Sequence, residues 1–182
     1  MKLVEFDGMD FKIADEAFLI KPIRDLLKAD KSRKKEEFWK QISYLWFMCD
    51  PRSSYMYILD ENSRSAEIIL QEGLGSKWKP SVTLLEAMEV YKRMSTTTNS
   101  KLLESMRKGI ENVRVFLETV DLSAVDAKTL KPIYQVSTIT SALKQIPDLA
   151  KALSDAEKAL EKDFADEGKV RGTTSRSAGE DL

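Results

Sequence analysis

The chain has 182 residues, no histidine and a single cysteine, Cys49. Ser-His-Asp and Cys-His nucleophile activation are therefore excluded, as is any imidazole metal ligand. Carboxylates are the remaining candidates for acid-base or metal chemistry. They occur as the adjacent pairs Asp15-Glu16, Glu36-Glu37 and Asp60-Glu61. Each pair lies where a helix is expected to begin, and the helix dipole stabilises negative charge there, which explains the pairs better than general acid-base work. No loop has the oxygen-ligand spacing of a Mg²⁺ or Ca²⁺ site. Gly73-Leu74-Gly75 lacks the third glycine and the preceding strand of a dinucleotide loop. Cys49 falls on an apolar helix face, where a thiol is expected to be buried and inert. No residue is assigned a catalytic, metal or cofactor-binding role. No cofactor is expected, and a carboxylate-metal enzyme is the least favoured function.

The remaining candidates are contact residues. There are 29 basic and 30 acidic side chains, a balance that argues against a protein built mainly for electrostatic binding to nucleic acid or membrane. Within it, Lys28–Lys35 is locally basic. Lys31, Arg33, Lys34 and Lys35 are candidate phosphate contacts, although such runs are usually solvated loops. An aromatic cluster follows: Phe38, Trp39, Tyr44, Trp46 and Phe47, with Tyr55 and Tyr57. The favoured reading is a hydrophobic core. The alternative is a set of interface anchors, and the two coexist in an obligate oligomer. On that alternative the candidates are Phe6, Phe11, Trp39, Trp46 and Tyr55, with the turn residue Arg52.

The elements that position these residues are mainly helical. With 42% hydrophobic residues the chain can fill a core. Asp7-Gly8 predicts a two-residue turn in a hairpin over residues 1–13, pairing Phe6 with Met9, Val4 with Phe11 and Lys2 with Ile13. Leu3, Glu5, Asp10 and Lys12 would take the opposite face. Asp15 is the expected cap of a helix that Pro22 kinks or divides. A second helix is expected from about Ser32 to Cys49, with Phe38, Ile42, Leu45 and Cys49 as its stripe. Asp50-Pro51-Arg52-Ser53-Ser54 ends it, and Tyr55–Ile58 should tuck back onto the body. Further helices are expected over 63–72, from Pro80 through Met94, and from about Ser100 to Val120. The last has Leu102, Met106, Ile110, Val113, Leu117 and Val120 on its apolar side. One helix runs to Ile146, and Pro147 is expected to start another. From Asp166 the composition turns to Gly, Ser, Thr and charge, which predicts a disordered tail. The expected organisation is a hairpin (1–13), a helical domain (14–165) and a tail (166–182). No apolar run is long enough to span a bilayer, and no signal-peptide core is visible.

Three stretches carry a resemblance: Asp15-Glu16-Ala17-Phe18-Leu19-Ile20-Lys21-Pro22, Tyr44-x-x-Phe47-Met48-Cys49-Asp50-Pro51-Arg52-Ser53, and Lys131-Pro132-Ile133-Tyr134 with the helix to Ile146-Pro147. Together they resemble small virion structural proteins of tailed phages, particularly the crAss-like phages of Bacteroides-type hosts. The likeness runs from Met1 to about Lys162, in motifs of fold rather than of catalysis. It implies a non-enzymatic component of the portal, neck or tail, assembled in the host cytoplasm into the virion. It also implies self-association into a ring, commonly of twelve copies, that docks onto portal or tail proteins. A capsid-internal cargo or DNA-binding protein is the alternative. No membrane partner is implied.

Overall fold

The structure, a computed structural model, describes residues 3–6, 8, 10–129, 131–171 and 175–177, with side chains through Asp166. The N-terminal hairpin forms: β1 (Val4–Phe6) and β2 (Phe11–Ala14) run antiparallel. Its register differs from the expected one by two residues. Phe6 faces Phe11, Glu5 faces Lys12 and Val4 faces Ile13. Four residues therefore connect the strands, not two. Met9 and Lys2, expected opposite Phe6 and Ile13, lie outside the described residues. The reason for the shift is aromatic. The Phe6 and Phe11 rings stack with centroids 4.6 Å apart, and both meet Trp46 and Phe47 at 5.4–5.9 Å. Such ring pairs add about 0.5–1.5 kcal/mol each beyond area burial, enough to override a turn preference. Gly8 still takes a positive φ of 95°.

A second correction concerns Leu3, expected on the polar face. It is buried in the main core, and its carbonyl accepts the Ala14 N–H at 2.9 Å. Beyond Asp166, residues 172–174 and 178–182 of the expected tail lie outside the described residues. What is described there is the end of the last helix and β3 (Ser175–Ser177), which pairs with β2 to give the order β1-β2-β3.

Asp15 does not cap the next helix. Residues Asp15–Leu19 form a 3₁₀ turn, and α1 (Lys21–Ala29) begins after Ile20 with Pro22 in its first turn. Proline lacks the N–H that a first turn leaves unpaired anyway, so it divides the segment rather than kinking it. The other helices are α2 (Glu36–Cys49), α3 (Glu61–Gln71), α4 (Val82–Ser95), α5 (Thr98–Thr119) and α6 (Val136–Arg171). With these six the protein is mainly helical, as expected. Asp60 caps α3 by accepting from Ser63 N–H at 2.7 Å. Gly73, at φ 63°, closes it with a Leu74 N–H to Ile69 carbonyl bond of 3.2 Å. Ser81 caps α4 by accepting from Leu84 N–H.

α6 departs from expectation, because it runs through Pro147 without interruption. The proline removes the donor for the Leu143 carbonyl. Leu143 and Pro147 are both exposed, so water reaches that carbonyl and the helix continues.

The chain divides into two compact units. One is Met1–Thr97 with Leu160–Leu182, and the other is Thr98–Ala159. The first holds the large core. α2 packs against α1, α3 and α4. Its expected stripe, Phe38, Ile42, Leu45 and Cys49, is buried, and so are Tyr44, Trp46, Phe47 and Met48 on its other faces. A helix apolar all round is thus a central helix. Leu3, Val4 and Ile13 of the hairpin belong to the same core, so the hairpin is not a separate element. Phe38 is fully buried at the start of α2, with the Phe18 ring 6.4 Å away. Phe38→Ala is expected to destabilise the protein by about 3–5 kcal/mol, read as a lowered urea midpoint at unchanged slope.

Candidate functional site

The Asp50-Pro51-Arg52-Ser53 turn, expected to break the α2 helix and to offer Arg52 as an interface candidate, carries a densely bonded polar group. Asp50 is fully buried at the end of α2. Its Oδ1 accepts from Arg52 N–H at 3.0 Å and from Arg52 Nε at 2.7 Å. Its Oδ2 accepts from the second Arg52 nitrogen at 2.7 Å and from the Tyr91 hydroxyl of α4 at 2.6 Å. The same Arg52 nitrogen donates to the Val4 carbonyl in β1 at 3.1 Å. The guanidinium also lies 4.4 Å from the Phe164 ring centre in α6. Burial acts against the Arg52 charge, but Asp50 outweighs it and strengthens the cation. Burial, then the charge of Asp50, pushes the Tyr91 phenol well above its ordinary value, so it remains a donor. Ser53 adds a bond to the Phe47 carbonyl at 2.8 Å. Arg64 of α3 donates to the Ile58 and Met48 carbonyls at 2.8 and 3.2 Å. Through Asp50 and Arg52, the turn after α2 is joined to β1, α4 and α6. It is a structural clamp, and the Arg52 side chain points into it.

The other aromatic candidates are placed unevenly. Trp46 is buried among Phe6, Phe11 and Phe47, and its Nε1–H has no hydrogen-bond partner. Packing there outweighs an unmet donor. Phe6, Phe11, Trp39 and Tyr55 are half-buried against the same core. Tyr55 meets Phe47 edge-on at 5.1 Å and donates to Glu72 at 2.6 Å. Tyr57, expected to tuck inward, is exposed. The carbonyl of Val4 on the outer edge of β1 is held by Arg52, and β2 is flanked by β3. The hairpin therefore offers little free edge for a neighbouring strand.

The basic stretch is ordered by Asp30. Its carboxylate accepts from Ser32 N–H at 2.8 Å and Phe38 N–H at 2.9 Å, while Lys35 Nζ donates to the Asp30 carbonyl at 2.7 Å. Lys35 sits at φ 51°, and α2 begins after it, not at Ser32. Burial raises the Asp30 carboxyl, but the Phe38 and Ser32 hydrogen bonds more than offset it and hold it below its ordinary range. Lys31, Arg33 and Lys34 are exposed on this loop, and Lys35 is half-buried.

The second unit shows what the helical periodicity did not. Of fourteen large apolar side chains exposed among the described residues, nine lie in Thr98–Ala159, about a third of the chain. In the same span the buried residues are Ser100, Leu103 and Ile139. Leu102, expected on the apolar side of α5, is exposed, and its neighbour Leu103 is buried instead. The densest group is on the α5–α6 connection and at the first residue of α6. Leu122 (57% exposed), Val125 (52%), Ile133 (55%) and Val136 (70%) face solvent there. The connection is shaped by a bridge between Val125 and Pro132 and by the Ile133 N–H to Ala124 carbonyl bond at 2.9 Å. The Asp126 carboxylate accepts from Lys128 and Thr129 N–H at 2.8 and 2.7 Å, and Tyr134 meets Phe116 edge-on at 5.6 Å. Only the apolar residues in this loop could have signalled the surface, and they read equally well as core.

The acidic pairs sit at helix starts, as their sequence context predicts. Asp60 is the α3 cap and Glu61 pairs with Lys92 at 2.9 Å. Among the described residues, no three Cys, Asp or Glu side chains converge as metal ligands. Burial pushes the Cys49 thiol up to about 12. Among the described residues, no helix is long and apolar enough to cross a membrane. Compared with protein-family models, curated proteins and solved structures, the chain matches none.

Two outcomes follow for the clamp and the loop. Asp50→Ala is expected to cost about 3–5 kcal/mol, because it strands a buried guanidinium. Asp50→Ala combined with Arg52→Leu should cost less than the sum of the single variants in a denaturation cycle. Asp30, with its folded value lowered, contributes stability that is complete above its unfolded value near about 3.9 and is lost as pH falls through the folded one. The stability gap between wild type and Asp30→Asn should therefore shrink below about pH 4. A gap that stays constant on acidification contradicts this.

Proposed function

We propose that the chain is a virion structural protein of a tailed phage, a ring-forming connector or tail component. On this reading it works by contact, self-associating and docking onto portal or tail proteins, and it catalyses no reaction. The observation that carries the reading is the apolar surface of Thr98–Ala159, where nine large apolar side chains are exposed. Apolar exposure on this scale is a reason to expect that another protein covers part of it. The resemblance of the 15–22, 44–53 and 131–147 stretches to small phage virion proteins supplies the biological setting. Two of these stretches lie in the well-packed first unit. There Asp50 and Arg52 form the clamp. The third reaches into the exposed α5–α6 connection. A ring further requires a head-to-tail contact that closes on itself.

The test is native mass measurement of the purified protein together with protein identification in purified particles. A closed oligomer of uniform size and presence in the virion are the expected results. A protein that stays monomeric at high concentration and is absent from particles overturns the proposal. Salt-sensitive binding to DNA, abolished by Lys34→Ala with Lys35→Ala and without any oligomer, also overturns it in favour of a packaged DNA-binding protein.

A further inference from the structure

We propose that the second unit, Thr98–Ala159, is an order–disorder element that opens as one piece while the first unit stays folded. The inference rests on packing within each unit and is independent of the virion reading. Of the twenty-five apolar residues buried among the described ones, two, Leu103 and Ile139, belong to the second unit. The rest fill the first. Burial of apolar surface is the main favourable term in folding, so a unit with so small an interior has little to set against the entropy of ordering its chain. On α5, Met106, Ile110, Val113 and Leu117 are only half-buried. Both helices of the unit are also weakened from within. Gly109 lies in the middle of α5, where glycine forms helix poorly. Pro147 lies inside α6, where it removes a helix hydrogen bond. A helix pressed on a large core tolerates such residues because packing compensates, and here that compensation is thin.

The polar contacts do not make up the difference. Glu104 with Lys108, and Arg114 with Glu111 and Glu118, bind α5 to itself, and all are exposed, where such pairs add little. The Arg107–Glu157 pair joins α5 to α6 with its carboxylate half-open to water. The opening has a defined limit. α6 extends into the first unit, where Leu160 and Phe164 are buried and the Arg52 guanidinium lies over the Phe164 ring. The large core holds that segment, so α6 opens from its N-terminal part and the opening stops near Leu160. Moving elements are drawn from the low-stability end of a structure, and anything that binds only the closed form shifts the equilibrium toward it. The first unit is then permanently ordered, and the order of the second depends on what it meets.

The experiment uses the full chain, whose sequence supplies a probe for each unit. All three tryptophans, Trp39, Trp46 and Trp78, lie in the first unit. α5 and most of α6 lie in the second and carry a large part of the helical signal. Urea unfolding is followed in the same samples by tryptophan fluorescence and by far-ultraviolet circular dichroism. Helical signal is expected to fall at low urea before the fluorescence changes. Hydrogen exchange without denaturant gives a second reading, in which α5 amides exchange on the order of tenfold or more faster than those of α2. Gly109→Ala then separates the units. Outside the helix's own backbone nothing lies within 4 Å of the added Cβ, so the substitution raises helix propensity without a clash. It should move the early helical transition to higher urea and leave the tryptophan transition in place. Coincident transitions by the two probes with equal protection of α2 and α5 overturn the proposal. A Gly109→Ala variant that shifts both transitions together overturns it as well, because the two units then unfold as one.

Discussion

The ion pair of Asp50 with Arg52 is the constraint around which the first unit is arranged. A fully buried carboxylate is tolerated only if its lone pairs are met, and here four donors meet them. Each donor has a separate source or consequence. The Arg52 backbone N–H fixes the turn after α2. The guanidinium fork fixes the side chain in the plane of the carboxylate. The Tyr91 hydroxyl fixes α4, and the remaining reach of the guanidinium fixes the Val4 carbonyl of β1. Because that carbonyl belongs to the hairpin, the register of β1 against β2 and the position of α2 are coupled through one side chain. The stacked Phe6–Phe11 pair, seated on Trp46 and Phe47, couples them again through apolar contact. Polar and aromatic interactions thus favour the same placement, which is how one arrangement is selected over its near alternatives.

That placement leaves the two units different in kind. In the first, α2 is buried on nearly every face and the large aromatics are inside. In the second, α5 is held by local ion pairs such as Glu104–Lys108 at 2.6 Å and Glu111–Arg114 at 2.6 Å, while many of its apolar neighbours remain open to water. Pairs of this kind on an exposed helix stabilise it by only a few tenths of a kcal/mol each. They support a helix without supplying a core. Arg107 with Glu157, at 3.0 Å, ties α5 to α6 within the unit. The second unit therefore has regular secondary structure and little interior.

Much of the fold was legible in the sequence, and the failures share a physical cause. The α2 stripe and the long α5 both followed from periodicity, which is local. The hairpin register did not, because Asp-Gly turn chemistry is local while the Phe6–Phe11 stack on Trp46 is not. Leu3 was misplaced for the same reason: strand alternation gives its face but not what covers that face. Pro147 was read as a boundary because its effect depends on whether the orphaned carbonyl reaches water. The Leu102–Leu103 pair shows how one residue of phase decides which leucine is inside. At the candidate site, the sequence marks Arg52 as a turn residue and interface candidate, and only the fold brings Tyr91 and Val4 to it. The basic residues of the 31–35 loop were legible as exposed, but the Asp30 cage that shapes them was not.

The same contrast separates covered apolar surface from open apolar surface. The aromatic cluster was the most conspicuous feature of the sequence and was read as core or as interface. Packing commits most of it: Trp46 is buried even with its donor unmet, and the outer edge of β1 has its Val4 carbonyl bound by Arg52. A surface already covered from within has little left to offer a partner. Leu122, Val125, Ile133 and Val136 are smaller and less conspicuous, yet they stand in water on an ordered connection. Residue type alone ranks tryptophan above valine as an anchor, but accessibility comes before type. In this chain the larger side chains mostly build the core, and much of the exposed apolar surface is left to smaller aliphatic residues.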